Sequence, residues 1–326
     1  MKLNNTQLLT FIDNIKLSSE SMPKYRKQID HLKEKLSSTI KSDDRTDIRV
    51  TKFLLAGSWK KRTILRPTGE NPIDIDLILF VESKEDIQSD LTKLHDYLVD
   101  YLGKIYPQKD IHRELDAEKN TKSIKIKFSG SGLEVDIVPV VELDNPIDYV
   151  WQPERGGSGT YITSINKQLA FSLKRRQDNP SYTAIVRALK WWRNYKELSP
   201  TEYDSALSSF SIELIVAYLD ITQGVESNIE EGLIRFFQFV SSSDFPVISF
   251  SNAINQIPAF STPIYIAEDT NNENSVVKKL STNMWNEVVE EADDAFDTLI
   301  YAQSRNNKGD TVGEWKRTFG PSFTIG

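Results

Sequence analysis

Residues 73–81, IDIDLILFV, read as a β-strand apolar enough to be buried, yet Asp74 and Asp76 stand in it one residue apart. Side chains alternate across a strand, so both carboxylates project from one side while Ile73, Ile75, Leu77 and Leu79 fill the other. Like charges at close range resist joint ionisation. A divalent cation removes that conflict, and Mg²⁺ is usually held by one or two carboxylates together with substrate phosphates. Asp136, in GLEVDIVPV, is a third carboxylate on an apolar strand. Three aspartates on adjacent strands are able to hold two metals about 3.5–4 Å apart, activating an attacking oxygen and stabilising a leaving one. An isolated D-x-D has an ordinary alternative, a strand-end cap or a partner for arginines such as Arg62 or Arg66. Gly57-Ser58 upstream and Asp136 downstream weigh against it.

Gly57-Ser58 follows a strand expected near 51–56 and opens a basic loop. A residue without Cβ at such a bend lets backbone N–H groups approach phosphate oxygens, and the serine hydroxyl adds a donor. The glycine spacings of a Walker A motif and of a dinucleotide fingerprint are both absent. Gly156-Gly157-Ser158-Gly159 reads as part of a flexible linker.

The pattern along the chain changes near residue 150. Before it, a long helix or a broken pair is expected over 6–42 with Pro23 at the break. Strands are expected at 51–56 and 73–81, and a helix over 86–106. KSIKIKFSG and LEVDIVPVV then flank a hairpin turn at Gly130-Ser131-Gly132. After it, amphipathic helices are expected around 161–176, 182–197, 209–222, 229–241 and 283–304, with WQPERGGSGT as the joining linker. The expected fold is α+β, a sheet lobe over 1–150 and an all-helical lobe over 151–326 with a central cleft.

Composition excludes several chemistries. There is no cysteine, hence no disulfide, thiolate nucleophile or cysteine-zinc site. His31, His95 and His112 are scattered without zinc spacing and read as surface or boundary residues. No signal peptide or membrane span is legible, so a cytoplasmic protein is expected. The net charge of −7 is uneven: residues 1–66 hold 15 Lys/Arg against 7 Asp/Glu, and 167–196 form a second basic island. Such a face leaves polyanion binding open, double-stranded DNA included, although basic helix faces are often only solvated.

In SYTAIVRALKWWRNYK, the residues Ile185, Ala188, Leu189, Trp192 and Tyr195 form a core stripe, and Arg187, Lys190 and Asn194 a polar one. Lys190 suits a triphosphate as a point charge, or is a solvated lysine. In the following ALSSFSIEL, Ser208 and Ser209 open a helix whose N-terminus favours an anion, and Phe210 is able to stack on a nucleobase. An N-cap serine and a core phenylalanine are the plain alternative.

Taken together, these segments resemble the bacterial cGAS/DncV-like nucleotidyltransferases (CD-NTases), the oligonucleotide cyclases of anti-phage CBASS systems, within the larger DNA polymerase β superfamily. Gly57-Ser58, Asp74/Asp76, Asp136 in SGSGLEVDIVPVV, VRALKWW, SSFSIEL and EWKRTFGPSF carry the resemblance over nearly the whole chain. It is nearest to the clade that partners HORMA-domain regulators and includes cyclic tri-adenylate producers. The resemblance implies a polymerase-β-like sheet lobe and an OAS-like helical lobe. It also implies two Mg²⁺ ions, replaceable by Mn²⁺, on Asp74, Asp76 and Asp136. Gly57 and Ser58 would hold the β/γ-phosphates, Lys190 and Ser209 would contact the donor triphosphate, and Phe210 would stack on its base. The expected activity joins NTPs, ATP foremost, into a cyclic di- or trinucleotide, with a HORMA-domain regulator as partner. A non-cyclising adenylyltransferase and a nucleic-acid-binding scaffold are the open alternatives. The family commonly reads GS-x-x-x-G-T. Here Arg62 stands at the second glycine, followed by the matching Thr63, and Thr68-Gly69-Glu70 extends the loop. The tail GPSFTIG is expected to be exposed and regulatory.

Overall fold

The computed structural model describes residues 1–69, 71–83, 91–107, 123–153, 160–198 and 207–326. His112 and the glycine-rich segment at 156–159 lie outside them. Contacts divide the chain into two compact units, Leu17–Leu169 and Met1–Lys16 with Ala170–Gly326.

The first unit is built on a six-stranded mixed sheet. Its strands are β1 (Arg49–Leu55), β2 (Ile73–Glu82), β3 (Ile124–Phe128), β4 (Leu133–Glu142), β5 (Val150–Pro153) and β6 (Thr160–Thr163). The order is β1-β2-β4-β5-β6, with β3 also paired to β4. β2 and β4 run parallel at the centre, and the other pairings are antiparallel. Ile73, Ile75, Leu77, Leu79, Leu133, Val135 and Ile137 make one continuous buried face. Helices α2 (Met22–Lys41) and α4 (Leu91–Ile105) cover it through Ile29, Leu32, Leu36, Leu94, Leu98 and Leu102. On the reverse face the second half of each central strand packs a smaller cluster, with Ile78, Phe80, Val138, Val140, Val150 and Ile165. The first half of that face carries the charged residues.

The second unit is helical: α1 (Asn5–Ile15), most of α5 (Ile165–Asp178), α6 (Tyr182–Tyr195), α7 (Ser209–Thr222), α8 (Ile229–Val240), α9 (Thr282–Ser304) and α10 (Lys308–Phe319). Helix α1 starts on a capping box in which Asn4 accepts from the Gln7 N–H and Gln7 reaches back. Its buried stripe of Leu8, Phe11, Ile12 and Ile15 belongs to this unit, with Phe11 against Trp191, Phe319 and Phe323. Of the long helix or broken pair expected over 6–42, the chain forms the broken pair, Pro23 opening the first turn of α2.

Several expectations change. The boundary moves from 150/151 to 169/170, and the first 16 residues join the helical unit because their apolar stripe finds its partners there. The segment 151–160 is not a linker between lobes at its described ends. Val150, Trp151 and Gln152 pair with Thr163, Ile162 and Tyr161, extending the sheet by two strands too short to leave a period-2 signature. His95 is fully buried on the inner face of α4. Tyr195 is 44 % exposed, being the last residue of α6 and flanking Gly320. Among the described residues no helix is long and apolar enough to cross a membrane.

The tail is anchored too. Phe323 is completely buried between Phe11 and Trp315, Asn14 donates to Thr324 Oγ1 at 3.1 Å, and Lys308 donates to the Gly326 carbonyl at 3.1 Å. An aromatic ring outweighs the small polar residues around it. Phe323→Ala is expected to cost about 3–5 kcal/mol of stability by urea unfolding, so truncation through Phe323 reads on folding before it reads on regulation.

Candidate active site

Asp74, Asp76 and Asp136 share one face of the sheet. In the parallel β2–β4 ladder Asp74 is paired with Glu134 and Asp76 with Asp136. The β2 alternation of buried isoleucines with exposed Asp74 and half-buried Asp76 matches the β4 alternation of Leu133, Glu134, Val135 and Asp136. One strand pairing therefore sets four carboxylates side by side.

A lysine from β3 stands among them. β3 places Lys125 directly opposite Asp136. Its Nζ lies 3.2 Å from Glu134 Oε2, 3.3 Å from Asp74 Oδ1 and 3.5 Å from Asp136 Oδ2. Burial works to lower the Lys125 pKa, but Asp136, Asp74 and Glu134 outweigh it and hold the ammonium charged well above its ordinary value. Asp136 is pushed up to about 7 by burial and by the charge of Asp74, against the opposing pull of Lys125. Lys127 adds an ion pair to Glu134 Oε1 at 3.3 Å.

The Gly57-Ser58 turn closes onto the same aspartates. Gly57 opens a short helix, α3 (Gly57–Lys61), anchored in the core by buried Trp59. The Ala56 N–H donates to the Asp76 carbonyl at 3.0 Å, tying the turn to β2. Gly57 has φ +53°, and a Cβ there would lie 1.6 Å from Asp76 Oδ2. The glycine is therefore required by the Asp76 carboxylate itself, a reason that reading the turn alone does not supply. Ser58 is half-buried, and its carbonyl accepts from the Thr63 N–H at 2.9 Å.

Arg62 caps α3 in the left-handed region, φ 61° and ψ 30°. That is the conformation a glycine adopts freely, and the exposed arginine meets the same geometry with strain. Arg62→Gly is expected to raise stability by about 0.5–1 kcal/mol, the strain relieved exceeding the added freedom of the unfolded chain. Urea denaturation reads it, and an unchanged or lower midpoint would contradict the strain.

Lys190, Ser209 and Phe210 lie in the helical unit. Lys190 is 5 % exposed on α6, so it is not the solvated lysine of the plain alternative. Ser208 is the N-cap of α7, accepting from the Ser211 N–H, and Ser209 and Phe210 are the first residues of that helix, both half-buried. Buried Arg193 donates to the Leu207 carbonyl and to Ser209 Oγ, both at 3.2 Å, fastening the end of α6 to the start of α7. Burial lowers its pKa to about 10, which leaves it charged at neutral pH.

Sequence reasoning missed Lys125, Glu134 and Arg193. The first two had a signal: Ile124-Lys125-Ile126-Lys127 and Leu133-Glu134-Val135-Asp136 alternate in antiphase charge and are joined by the turn at Gly130-Ser131-Gly132. Arg193 had none, because its neighbour Ser209 is remote in sequence.

The residues suit a cation, with one qualification written into the geometry. Asp136 Oδ1 is buried and meets no hydrogen-bond donor among the described residues. Yet among those residues no three His, Cys, Asp or Glu side chains are drawn together as metal ligands are, and Asp74 and Asp136 converge on the Lys125 ammonium instead.

Comparison with known proteins agrees with the fold. Residues 1–168 match the Second Messenger Oligonucleotide or Dinucleotide Synthetase domain. The chain is 29% identical over 326 residues to the CBASS oligonucleotide cyclase CdnC of Escherichia coli (strain KTE188), covering 100% of this chain and 99% of the relative. It is 31% identical over 318 residues to the cyclic AMP-AMP-AMP synthase of Escherichia coli (strain MS 115-1), covering 95% and 94%. The CdnC of E. coli MS115-1 solved with ATP superposes with a TM-score of 0.79 at 27% identity over 99% of each chain. The same relative solved with a HORMA protein gives 0.78 at 28% identity, over 99% of this chain and 98% of that one. With a parallel β2–β4 pair carrying the aspartates and the relatives aligned end to end, this chain belongs to the Second Messenger Oligonucleotide or Dinucleotide Synthetase family.

Proposed function

We propose that the chain is a template-independent nucleotidyltransferase that joins NTPs, ATP foremost, into a cyclic di- or trinucleotide second messenger for CBASS signalling. The observation that carries this is the row of Asp74, Asp76 and Asp136 on one face of the β2–β4 ladder, with Gly57 packed on Asp76. In each transfer a ribose hydroxyl oxygen bonds to the α-phosphorus of an NTP, the hydroxyl proton leaves, and pyrophosphate departs. The last transfer is intramolecular and closes the ring.

Asp74, Asp76 and Asp136 would hold Mg²⁺, or Mn²⁺ in its place, and the ion supplies charge neutralisation for the reacting phosphates. Asp136 is assigned to receive the hydroxyl proton, having a buried oxygen with no donor among the described residues. Gly57 and Ser58 are assigned to the β/γ-phosphates, Lys190 and Ser209 to the donor triphosphate, and Phe210 to its base. Arg193 positions Ser209 through its hydroxyl. The work left to the protein is orientation and electrostatics, as phosphoryl chemistry requires. The relative solved with a HORMA protein supports a HORMA-domain regulator here. Among the described residues no observation favours double-stranded DNA.

The test is mass spectrometry of products from all four NTPs with Mg²⁺, before and after phosphatase, with and without a HORMA partner. A phosphatase-resistant, adenine-containing cyclic product is expected. Linear products alone would favour the non-cyclising adenylyltransferase, and no product under any condition would sink the assignment.

A further inference from the structure

The carboxylate face holds more charge than transfer chemistry asks of it. Asp74, Glu134 and Asp136 all reach one ammonium, Lys125 Nζ, within 3.2–3.5 Å. Asp74 is 49 % exposed, but Lys125, Glu134 and Asp136 are only 19 %, 16 % and 17 % exposed. These charges are therefore poorly screened and act strongly on one another. A dication bound by Asp74 and Asp136 would meet this ammonium as a like charge at close range.

Glu134 offers the lysine somewhere else to go. It lies on the same face as Asp136, two residues away on β4, and is cross-paired with Asp74. Its Oε1 serves Lys127, while its Oε2 already accepts from Lys125 at 3.2 Å. Rotation of a four-carbon stem thus moves the ammonium from the aspartates to Glu134 without shifting either strand.

We propose that Lys125 is the internal counter-cation of this cluster: it holds Asp74 and Asp136 together before metal binds and withdraws onto Glu134 as metal arrives. Lys125 is a positioning residue in this scheme, and the pair Lys125–Glu134 sets the metal affinity of the aspartates. The inference rests on the metal reading proposed above and goes beyond it in naming a competitor for the same oxygens.

The experiment is titration of the full chain with Mn²⁺ in the absence of nucleotide, read by electron paramagnetic resonance and by calorimetry. Lys125→Met is expected to bind Mn²⁺ about tenfold more tightly than the unaltered protein, a like charge having been removed. Its melting temperature should fall without metal, because Asp74 and Asp136 are left facing each other, and should rise more steeply on adding Mn²⁺. Glu134→Gln is expected to weaken Mn²⁺ binding about tenfold, because Lys125 then has only the aspartates to pair with. Lys125→Arg, which keeps the charge, should bind no more tightly than the unaltered protein.

If the unaltered protein binds Mn²⁺ and Lys125→Met binds equally or more weakly, the competition is overturned while the metal reading stands. If the unaltered protein binds no Mn²⁺ without nucleotide, the competition is overturned, and the product assay with and without Mg²⁺ decides the metal reading. Should Lys125→Met fail to fold, Glu134→Gln decides alone: unchanged or tighter binding there overturns the proposal.

Discussion

Asp136→Ala should lower product formation by about a thousandfold or more, the scale on which removal of a group from a catalytic unit acts. The variant should nonetheless stay folded. In the metal-free protein the Asp136 pKa sits near 7 and above its unfolded value, with burial and the Asp74 charge as causes. A carboxyl raised in this way contributes stability that is present below its unfolded pKa and is lost as pH rises through the folded one. Above about pH 7 the unaltered protein therefore carries a strained charge that alanine does not. With a chelator present at pH 8, thermal unfolding of Asp136→Ala should match or exceed that of the unaltered chain. Retained activity would refute the role of Asp136, and unfolding at pH 8 would refute the electrostatic account of its burial.

Gly57→Ala should act almost as severely, for a steric reason. Its Cβ would lie 1.6 Å from Asp76 Oδ2, at a backbone φ of +53° that an L-residue adopts with strain. Either the Asp76 carboxylate or the turn has to move by more than an ångström. Displacement of that size in a reacting site costs about a hundredfold in rate, and the strain adds about 1–2 kcal/mol of instability. Gly130→Ala is the control: nothing lies within 4 Å of its added methyl and its φ is not positive, so activity and stability should both hold. Equal activity in the two variants would mean that the turn does not constrain Asp76.

Much of this was legible locally. Asp74 and Asp76 fall on one side of a strand because side-chain alternation is built into extended backbone. The helices after residue 160 announce themselves by period, as in α9, where Trp285, Val288, Ala292, Ala295 and Leu299 are all buried. Their flanking Val289 and Phe296 are half-buried, as the edge of such a stripe should be. On α6 the expected polar residues Arg187 and Asn194 are half-buried, and periodicity alone did not say that Lys190 is buried. Burial of a charged side chain depends on what packs over it.

The amino-acid sequence by itself determined the strand type, the shared face of Asp74 and Asp76, a kink or helix restart at Pro23 and the helical character of the second half. Each follows from backbone period or from the covalent geometry of one residue. Only the tertiary structure decided that Asp136 faces Lys125, that Asp76 fills the space over Gly57, that Glu134 lies beside the aspartates, and that Phe11 and Phe323 seal the two ends of the chain into one unit. These depend on which strand pairs with which and in what register. A one-residue slip in β3 would turn Lys125 to the other face, and no local window of sequence specifies that pairing.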